Sequence, residues 1–246
     1  MSLRTEYEAT GAWLFRHRSF LPLLALPILI EALRSFTYLW QSHQFTEIWA
    51  VFSLMISFLG LFIRAFTVGF APQGTSGRNT RQQVAEVLNT TGMYSLVRHP
   101  LYLGNYLAVL GAVVFFHTWW LVLLLTCLYA LYYERIMFAE EAFLRQRFGE
   151  SFEQWAAVTP AVVPKLRGWK HPGLTFSWRT VLRREYTGFF LITASFCALE
   201  IAGDSVAEQR LRIDWPWCML FALGVLVYLV LRTLKKKTRM LDVPGR

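Results

Sequence analysis

The residues best equipped for chemistry crowd into two short stretches on either side of one apolar hairpin. The first runs Asn89-Thr90-Thr91-Gly92-Met93-Tyr94-Ser95-Leu96-Val97-Arg98-His99-Pro100-Leu101-Tyr102-Leu103-Gly104-Asn105. The second carries Glu134-Arg135, then Glu140-Glu141, Phe148-Gly149, Trp155, Pro160 and Pro164. Leu101–Phe116 and Trp119–Tyr133 lie between them, with the tip at His117-Thr118. The 32 residues from 102 to 133 return the chain to the membrane face it left, so Arg98-His99 and Glu140-Glu141 can meet. Ionisable groups at membrane depth are costly and mark function by default. Here Tyr94 and Tyr102 offer ring faces to a cation. Glu140 offers an acceptor, and Arg98 and His99 offer donors for a carboxylate. If an ammonium acceptor must lose a proton, Glu141 is the candidate base.

The elements that position these groups are membrane helices. Of 246 residues 55% are hydrophobic and 17% charged, too little charge to cover a soluble surface; the mean hydropathy is +0.36. Runs long enough to approach a bilayer crossing of roughly 20 residues fall at Phe20–Trp40, Ile48–Phe70, Leu101–Phe116, Trp119–Tyr133, Tyr186–Ile201 and Trp215–Leu231. The expected fold is all-α: a polytopic bundle of about six transmembrane helices with both termini cytoplasmic. With that topology 20 of the 25 Lys and Arg lie inside and only Arg210 and Arg212 lie in outside loops, a strong positive-inside bias. Phe20–Trp40 is too long, and with Glu31 and Arg34 too charged, for a cleaved signal. The protein is therefore expected in an inner, plasma or endoplasmic-reticulum-type membrane, its active site facing the cytoplasm.

Three regions follow. Residues 1–70 hold a basic amphipathic approach and two spans. Residues 71–165 form the core that carries the chemistry, including a Gly/Ser/Asn loop and a short helix expected over Arg81–Leu88. A second polar helix is expected over Phe138–Trp155, with Gly149 placed to break it. Residues 166–246 are an interfacial linker, a C-terminal hairpin and a tail with Lys235-Lys236-Lys237 suited to anionic headgroups. Pro100 would start the helix of the third span, since proline suits a first helical position. Gly104 would let a cofactor or a neighbouring helix approach closely.

Arg-His-Pro-x-Tyr-x-Gly from Arg98 to Gly104, followed by Glu-Glu-x-x-Leu-x-x-x-Phe-Gly from Glu140 to Gly149, resembles the isoprenylcysteine carboxyl methyltransferase and phospholipid methyltransferase superfamily. The resemblance covers about residues 77–165. It implies an integral membrane methyltransferase that binds S-adenosyl-L-methionine, releases S-adenosyl-L-homocysteine and takes a lipidic or lipid-anchored acceptor from the bilayer. Carried over residue by residue, it makes His99, Pro100 and Tyr102 the cofactor-contacting motif. Tyr94 lines the pocket, Leu88 and Asn89 lie beside the adenosine, Glu140 is a ligand, and Asn79 falls near a polar contact. Arg98 and Glu141 stand with these as catalytic candidates. Arg135 is the nearest match to a substrate-orienting arginine, one residue out of register, with Ile136 at the matching position.

Other functions leave their own marks. A small transporter or channel would use Glu31, Arg34 and Arg64, which could also neutralise one another. A non-catalytic scaffold would keep the fold and bind no cofactor. Cys127, Cys197 and Cys218 fall inside spans and read as packing residues. His43 and His117 are isolated in sequence and no H-E-x-x-H occurs, so no metal is expected. The absence of G-x-G-x-x-G argues against a soluble dinucleotide-type domain. The basic residues flank spans, so no nucleic-acid partner is expected. The acceptor stays open among a phospholipid amine, a prenylcysteine carboxylate and a lipid phosphate.

Overall fold

The computed structural model describes residues 3–18, 20–72 and 85–245, without the side chain of Pro22. Among these residues there is no strand. The α-helices are α1 (Leu3–His17), α2 (Leu26–Arg34), α3 (His43–Gly69), α4 (Pro100–Val114), α5 (Trp119–Phe148), α6 (Glu150–Val158), α7 (Trp178–Glu208) and α8 (Trp215–Lys237). Four of them, α3, α5, α7 and α8, are long and apolar enough to cross a membrane. At 1.5 Å per residue, the 15 residues of α4 reach only about 22 Å, short of a hydrocarbon core of about 30 Å.

Two expectations about helix boundaries are corrected. Phe20–Trp40 is not one helix: a 3-10 turn at Leu21–Ala25 passes into the nine-residue α2, and the chain then leaves helical geometry. Pro22 and Pro27 each withhold a backbone donor and set up separate starts. Beyond them Ser35 Oγ takes up Ala32 O, and Trp40 and Gln41 adopt positive φ. In the other case α5 does not stop at Tyr133 but continues through the polar stretch to Phe148, where Gly149 at φ +53° ends it and α6 begins. Glu134 to Arg147 are good helix formers, so the change to polar residues marks the membrane surface and not the helix end. The helix expected over Arg81–Leu88 and the Asn79 contact lie largely outside the described residues; Ala85–Leu88, which are described, are not helical.

Small residues set the packing. α3 and α4 run antiparallel, with Gly60 against Gly104, Ser57 against Gly111 and Trp49 Nε1 donating to Val114 O at 2.7 Å. Ser57 Oγ donates to Ala108 O at 2.8 Å. Gly188 of α7 meets Leu61 of α3, Gly224 of α8 meets Thr193 of α7, and Gly11 of α1 meets the backbone of Arg135 on α5. Such contacts replace the hydrophobic drive that lipid removes. Phe36, Phe115, Phe116, Phe196 and Trp217 form the aromatic centre of the core. The three cysteines are free.

These contacts give the bundle two ends. One holds the start of α4, the C-terminal half of α5, α1, α6 and the end of α8. The other holds the start of α3, the α4–α5 tip, the end of α7 and the start of α8. Exposed tryptophans ring both: Trp40, Trp119 and Trp215 at the second, Trp13, Trp169 and Trp178 at the first. That is the distribution expected of interfacial belts. Leu123, Leu128, Leu131, Leu223, Leu226 and Leu229 are exposed between the belts, where lipid would meet them.

Candidate functional site

The first end carries the polar residues singled out from sequence. Gly92, at φ +58°, opens a 3-10 turn over Gly92–Ser95, and His99 then precedes Pro100, the first residue of α4. Starting the helix on a proline costs no hydrogen bond, because that N–H would lack an intrahelical partner. The turn points His99 and Arg98 at α5. His99 Nε2 lies 3.0 Å and Arg98 Nε 2.9 Å from the same Glu141 oxygen. One turn into α4, Tyr102 donates its hydroxyl to Glu140 Oε2 at 2.9 Å. The His99 and Tyr102 rings stack with centroids 5.6 Å apart, and His99 Nδ1 is 3.7 Å from Glu140 Oε2. The two stretches that flank the hairpin therefore converge.

A tyrosine ladder fixes the register of α4 on α5. Tyr102 packs on Tyr133 at 4.8 Å, Tyr133 on Tyr129 at 4.1 Å, and Tyr129 donates to Tyr102 O at 2.8 Å. Beneath it Arg64 of α3 pairs with both oxygens of Glu185 on α7, at 2.8 and 2.9 Å, and donates to Asn105 Oδ1 at 2.6 Å. A forked pair of this kind satisfies a guanidinium away from water.

A strap closes over the turn from the other side. Trp155 Nε1 donates to Tyr94 O at 3.0 Å, and Arg98 Nη1 donates to Ala156 O at 2.9 Å. Main-chain bonds follow: Arg98 N to Pro160 O at 2.8 Å, Lys165 N to Leu96 O at 3.1 Å and Gly92 N to Lys170 O at 2.9 Å. Lys170 N also donates to Ser95 Oγ. Burial first, and then the nearby Glu140 carboxylate, push the Tyr94 phenol well above the ordinary tyrosine range, so it remains a protonated donor.

Of the candidates, Arg98, His99, Pro100, Tyr102, Glu140 and Glu141 gather at one place, with Tyr94 within the field of Glu140. Asn89 folds an Asx turn onto Thr91 N at 3.2 Å, beside Leu88 on the approach to the 3-10 turn. Gly104 is turned to α3, where a Cβ would stand 2.5 Å from Arg64 Cγ; of its two expected uses the structure has the helix contact. Arg135 is turned to α1: its guanidinium lies 4.4 Å from the Tyr7 ring and Nη1 is 3.4 Å from Thr10 Oγ1. The register explains this, since Arg135 follows Glu134 and Tyr133 around α5 and so leaves the face that carries Tyr129 and Tyr133. Glu31 and Arg34 pair with each other at 3.1 Å, 72% and 74% exposed, while Arg64 is engaged by Glu185 and Asn105. Sequence reasoning missed Tyr129, Tyr133 and Glu185. The i,i+4 spacing of Tyr129 and Tyr133 was the available signal; Glu185 lies 121 residues from its partner and gave none.

His43 is not isolated. At the second end it meets Glu47, Asp204 and Asp214.

Residues 46–151 match the model of a phospholipid methyltransferase family. The chain is 29% identical over 172 residues to a nickel-cobalt-cadmium resistance protein of Alcaligenes xylosoxydans xylosoxydans, covering 68% of this chain and 75% of that protein. It is 39% identical over 79 residues to a cobalt-zinc-cadmium resistance protein of Cupriavidus metallidurans, 32% of this chain and 36% of the relative. It is 29% identical over 107 residues to the protein-S-isoprenylcysteine O-methyltransferase of Schizosaccharomyces pombe, 43% of this chain and 45% of the relative. The chain thus spans less than half the length of the last two. No solved structure matches.

Proposed function

Proceeding from the chain's place in the isoprenylcysteine carboxyl methyltransferase and phospholipid methyltransferase superfamily of membrane methyltransferases, we propose that it transfers a methyl group from S-adenosyl-L-methionine to a lipidic or lipid-anchored acceptor. The observation that carries the reading is the convergence of His99 and Tyr102 with Glu141 and Glu140. The donor set fits the cofactor. Glu140, a third exposed, can accept from ribose hydroxyls or an ammonium. Tyr94 and Tyr102 present ring faces to a sulfonium. Leu88, Asn89 and the 3-10 turn offer backbone to an adenosine. When bound, S-adenosyl-L-methionine supplies a methyl group on a sulfonium that a nucleophile displaces in line.

Within that reading the chain's own residues divide the work. One oxygen of Glu141 hydrogen-bonds His99 and ion-pairs with Arg98, which makes Glu141 a positioning group that holds the start of α4 on α5. With that oxygen occupied, Glu141 is a poor general base. A carboxylate or phosphate acceptor needs none, and these acceptors suit the site better than an ammonium headgroup. Arg135, docked on α1, orients that helix and no substrate. The strap of residues 155–170 excludes water from the turn. The positive-inside bias supports a cytoplasmic site, six crossings of the membrane with α2 and α4 as the short ones, and both termini on the site's side. Two relatives are named for resistance to nickel, cobalt, zinc or cadmium, and on that ground we read the modification as part of a response to divalent metal.

The test is transfer of an isotopically labelled methyl from S-adenosyl-L-methionine into lipids co-purified with the detergent-solubilised chain, read by mass spectrometry. Thermal stabilisation by S-adenosyl-L-homocysteine is read alongside, since a ligand of the folded state raises its apparent stability. Stabilisation together with a labelled lipid is the expected outcome. Neither effect, in a folded sample, would leave a non-catalytic scaffold.

A further inference from the structure

The second end of the bundle holds a built polar cluster for which methyl transfer has no use. α3 spans 21 residues from Arg64 back to His43, roughly 30 Å of helix. The cluster is thus separated from the candidate active site by about a hydrocarbon thickness. His43 Nε2 lies 3.2 Å from Asp204 Oδ2, 3.2 Å from Asp214 Oδ2 and 3.6 Å from Glu47 Oε1. One ligand atom from each of the four lies within 4.8 Å of the others. They come from three places: His43 and Glu47 one turn apart at the start of α3, Asp204 near the end of α7, and Asp214 at the cap of α8. Asp204 is buried, while His43, Glu47 and Asp214 keep about a quarter of their side chains open to solvent, so an ion has a way in.

Two independent observations point to a cation. First, charge does not balance. Glu47, Asp204, Glu208 and Asp214 share this neighbourhood with the guanidiniums of Arg210 and Arg212. Even a charged His43 leaves an excess of negative charge in a medium where carboxylates repel strongly. Second, Glu200 is 3% exposed and its Oε1 has no hydrogen-bond partner. It lies one turn before Asp204 on the same face of α7. The charges that act on it are Glu47, Asp204 and Asp214, with Arg212 the cation among them. A buried carboxyl oxygen without a partner is costly; positive charge in the adjoining cluster lowers that cost.

We propose that His43, Glu47, Asp204 and Asp214 form a binding site for a divalent transition-metal ion such as zinc or cobalt, on the membrane face opposite the methyltransferase site. One imidazole with carboxylates is a nitrogen and oxygen set suited to these ions. The orienting groups that accompany metal ligands are present too. Trp217 Nε1 donates to Glu47 at 3.2 Å, and Tyr38 donates to Glu208, which in turn holds Arg212. Arg212 balances part of the charge when no ion is bound, reaching His43 Nδ1 at 3.3 Å and Asp204 Oδ2 at 3.5 Å. Binding through Nε2 puts the ring proton on Nδ1, and Arg212 turns from the histidine toward Glu208 and Asp214. The site stands on its own geometry and does not depend on the methyltransferase reading.

The experiment uses the full chain in detergent without a histidine tag, stripped with chelator and titrated with zinc by calorimetry and with cobalt by visible absorption. One zinc per chain is expected, with cobalt bands of a low-symmetry nitrogen and oxygen site. His43→Gln should abolish both. Glu47→Gln should weaken zinc by at least about tenfold, while Arg212→Gln, which removes the resident cation, tightens it. Helical circular dichroism checks that each variant is folded. Absence of zinc binding by the wild-type chain, or binding unchanged in folded His43→Gln and Glu47→Gln, overturns the proposal. S-adenosyl-L-homocysteine binding measured on the metal-free samples reports the methyltransferase reading separately.

Discussion

Tyr102 on α4 donates a hydrogen bond from its hydroxyl to Glu140 on α5 at 2.9 Å, and the two stand 38 positions apart in the chain. The bond ties the site to the hairpin's register: a slip of one residue on either helix would separate them. Glu140→Gln keeps the size and an acceptor but removes the charge. It is expected to weaken S-adenosyl-L-homocysteine binding at least about tenfold, as loss of a charge-assisted hydrogen bond does. The fold should survive. Calorimetry in detergent reads the affinity, and an unchanged value would remove Glu140 from the cofactor site.

Glu141 predicts a different phenotype. Its Oε1 hydrogen-bonds His99 and forms an ion pair with Arg98, each largely buried. Glu141→Gln leaves Arg98 short of a counter-charge and should cost about 2 kcal/mol of stability, below the full value for a buried pair because the site is partly wetted. Denaturant unfolding in mixed micelles measures this. If activity falls while stability holds, Glu141 acts in the chemistry instead of in positioning.

Arg64 and Glu185 allow a double-mutant cycle. Arg64→Met alone strands Glu185 and should cost about 3 kcal/mol, whereas replacing both with methionine should recover much of the loss. Full additivity of the two single losses would show that the pair is not coupled.

Gly104→Ala tests the α3–α4 contact. The added methyl would stand 2.5 Å from Arg64 Cγ and 2.7 Å from Gly60 O, and backbone cannot yield as a side-chain tip can. A loss of about 2 kcal/mol is expected from such overpacking. Unaltered thermal unfolding would mean that the helices separate easily.

Arg135→Ala should spare cofactor binding and loosen α1. Its guanidinium caps the Tyr7 ring at 4.4 Å, so faster proteolysis or hydrogen exchange within Leu3–His17 is the expected reading. Collapse of methyl transfer with α1 still docked would return Arg135 to the substrate.

What could be read in advance followed from local rules. The hairpin length brought Arg98 to Glu141, Pro100 began a helix and Gly149 ended one, because each depends on the residues around it. The failures share a cause as well. At Phe20–Trp40 apolar composition extends across the breaks that Pro22 and Pro27 impose, so length alone overstates the helix. At Tyr133 the onset of charge resembled an end, although the residues beyond it favour helix. Glu185 and Asp204 are separated from Arg64 and His43 by 121 and 161 residues, a distance no periodicity bridges. Arg135, one residue out of register with the family arginine it most nearly matches, contacts Tyr7 and Thr10 of α1, a partner that sequence spacing does not reveal.

The strap across the 92–98 turn is sewn with peptide groups: Arg98 N to Pro160 O, Lys165 N to Leu96 O and Gly92 N to Lys170 O. Among its side chains Trp155 and Trp169 are anchored, on Tyr94 O and on the Phe66 ring, whereas Val163 and Leu166 stand 75% and 97% exposed. A scan with alanine would register Trp155 and pass over Val163 and Leu166 almost silently. Proline at 165 or 170, by deleting the N–H itself, would find the stitches at once.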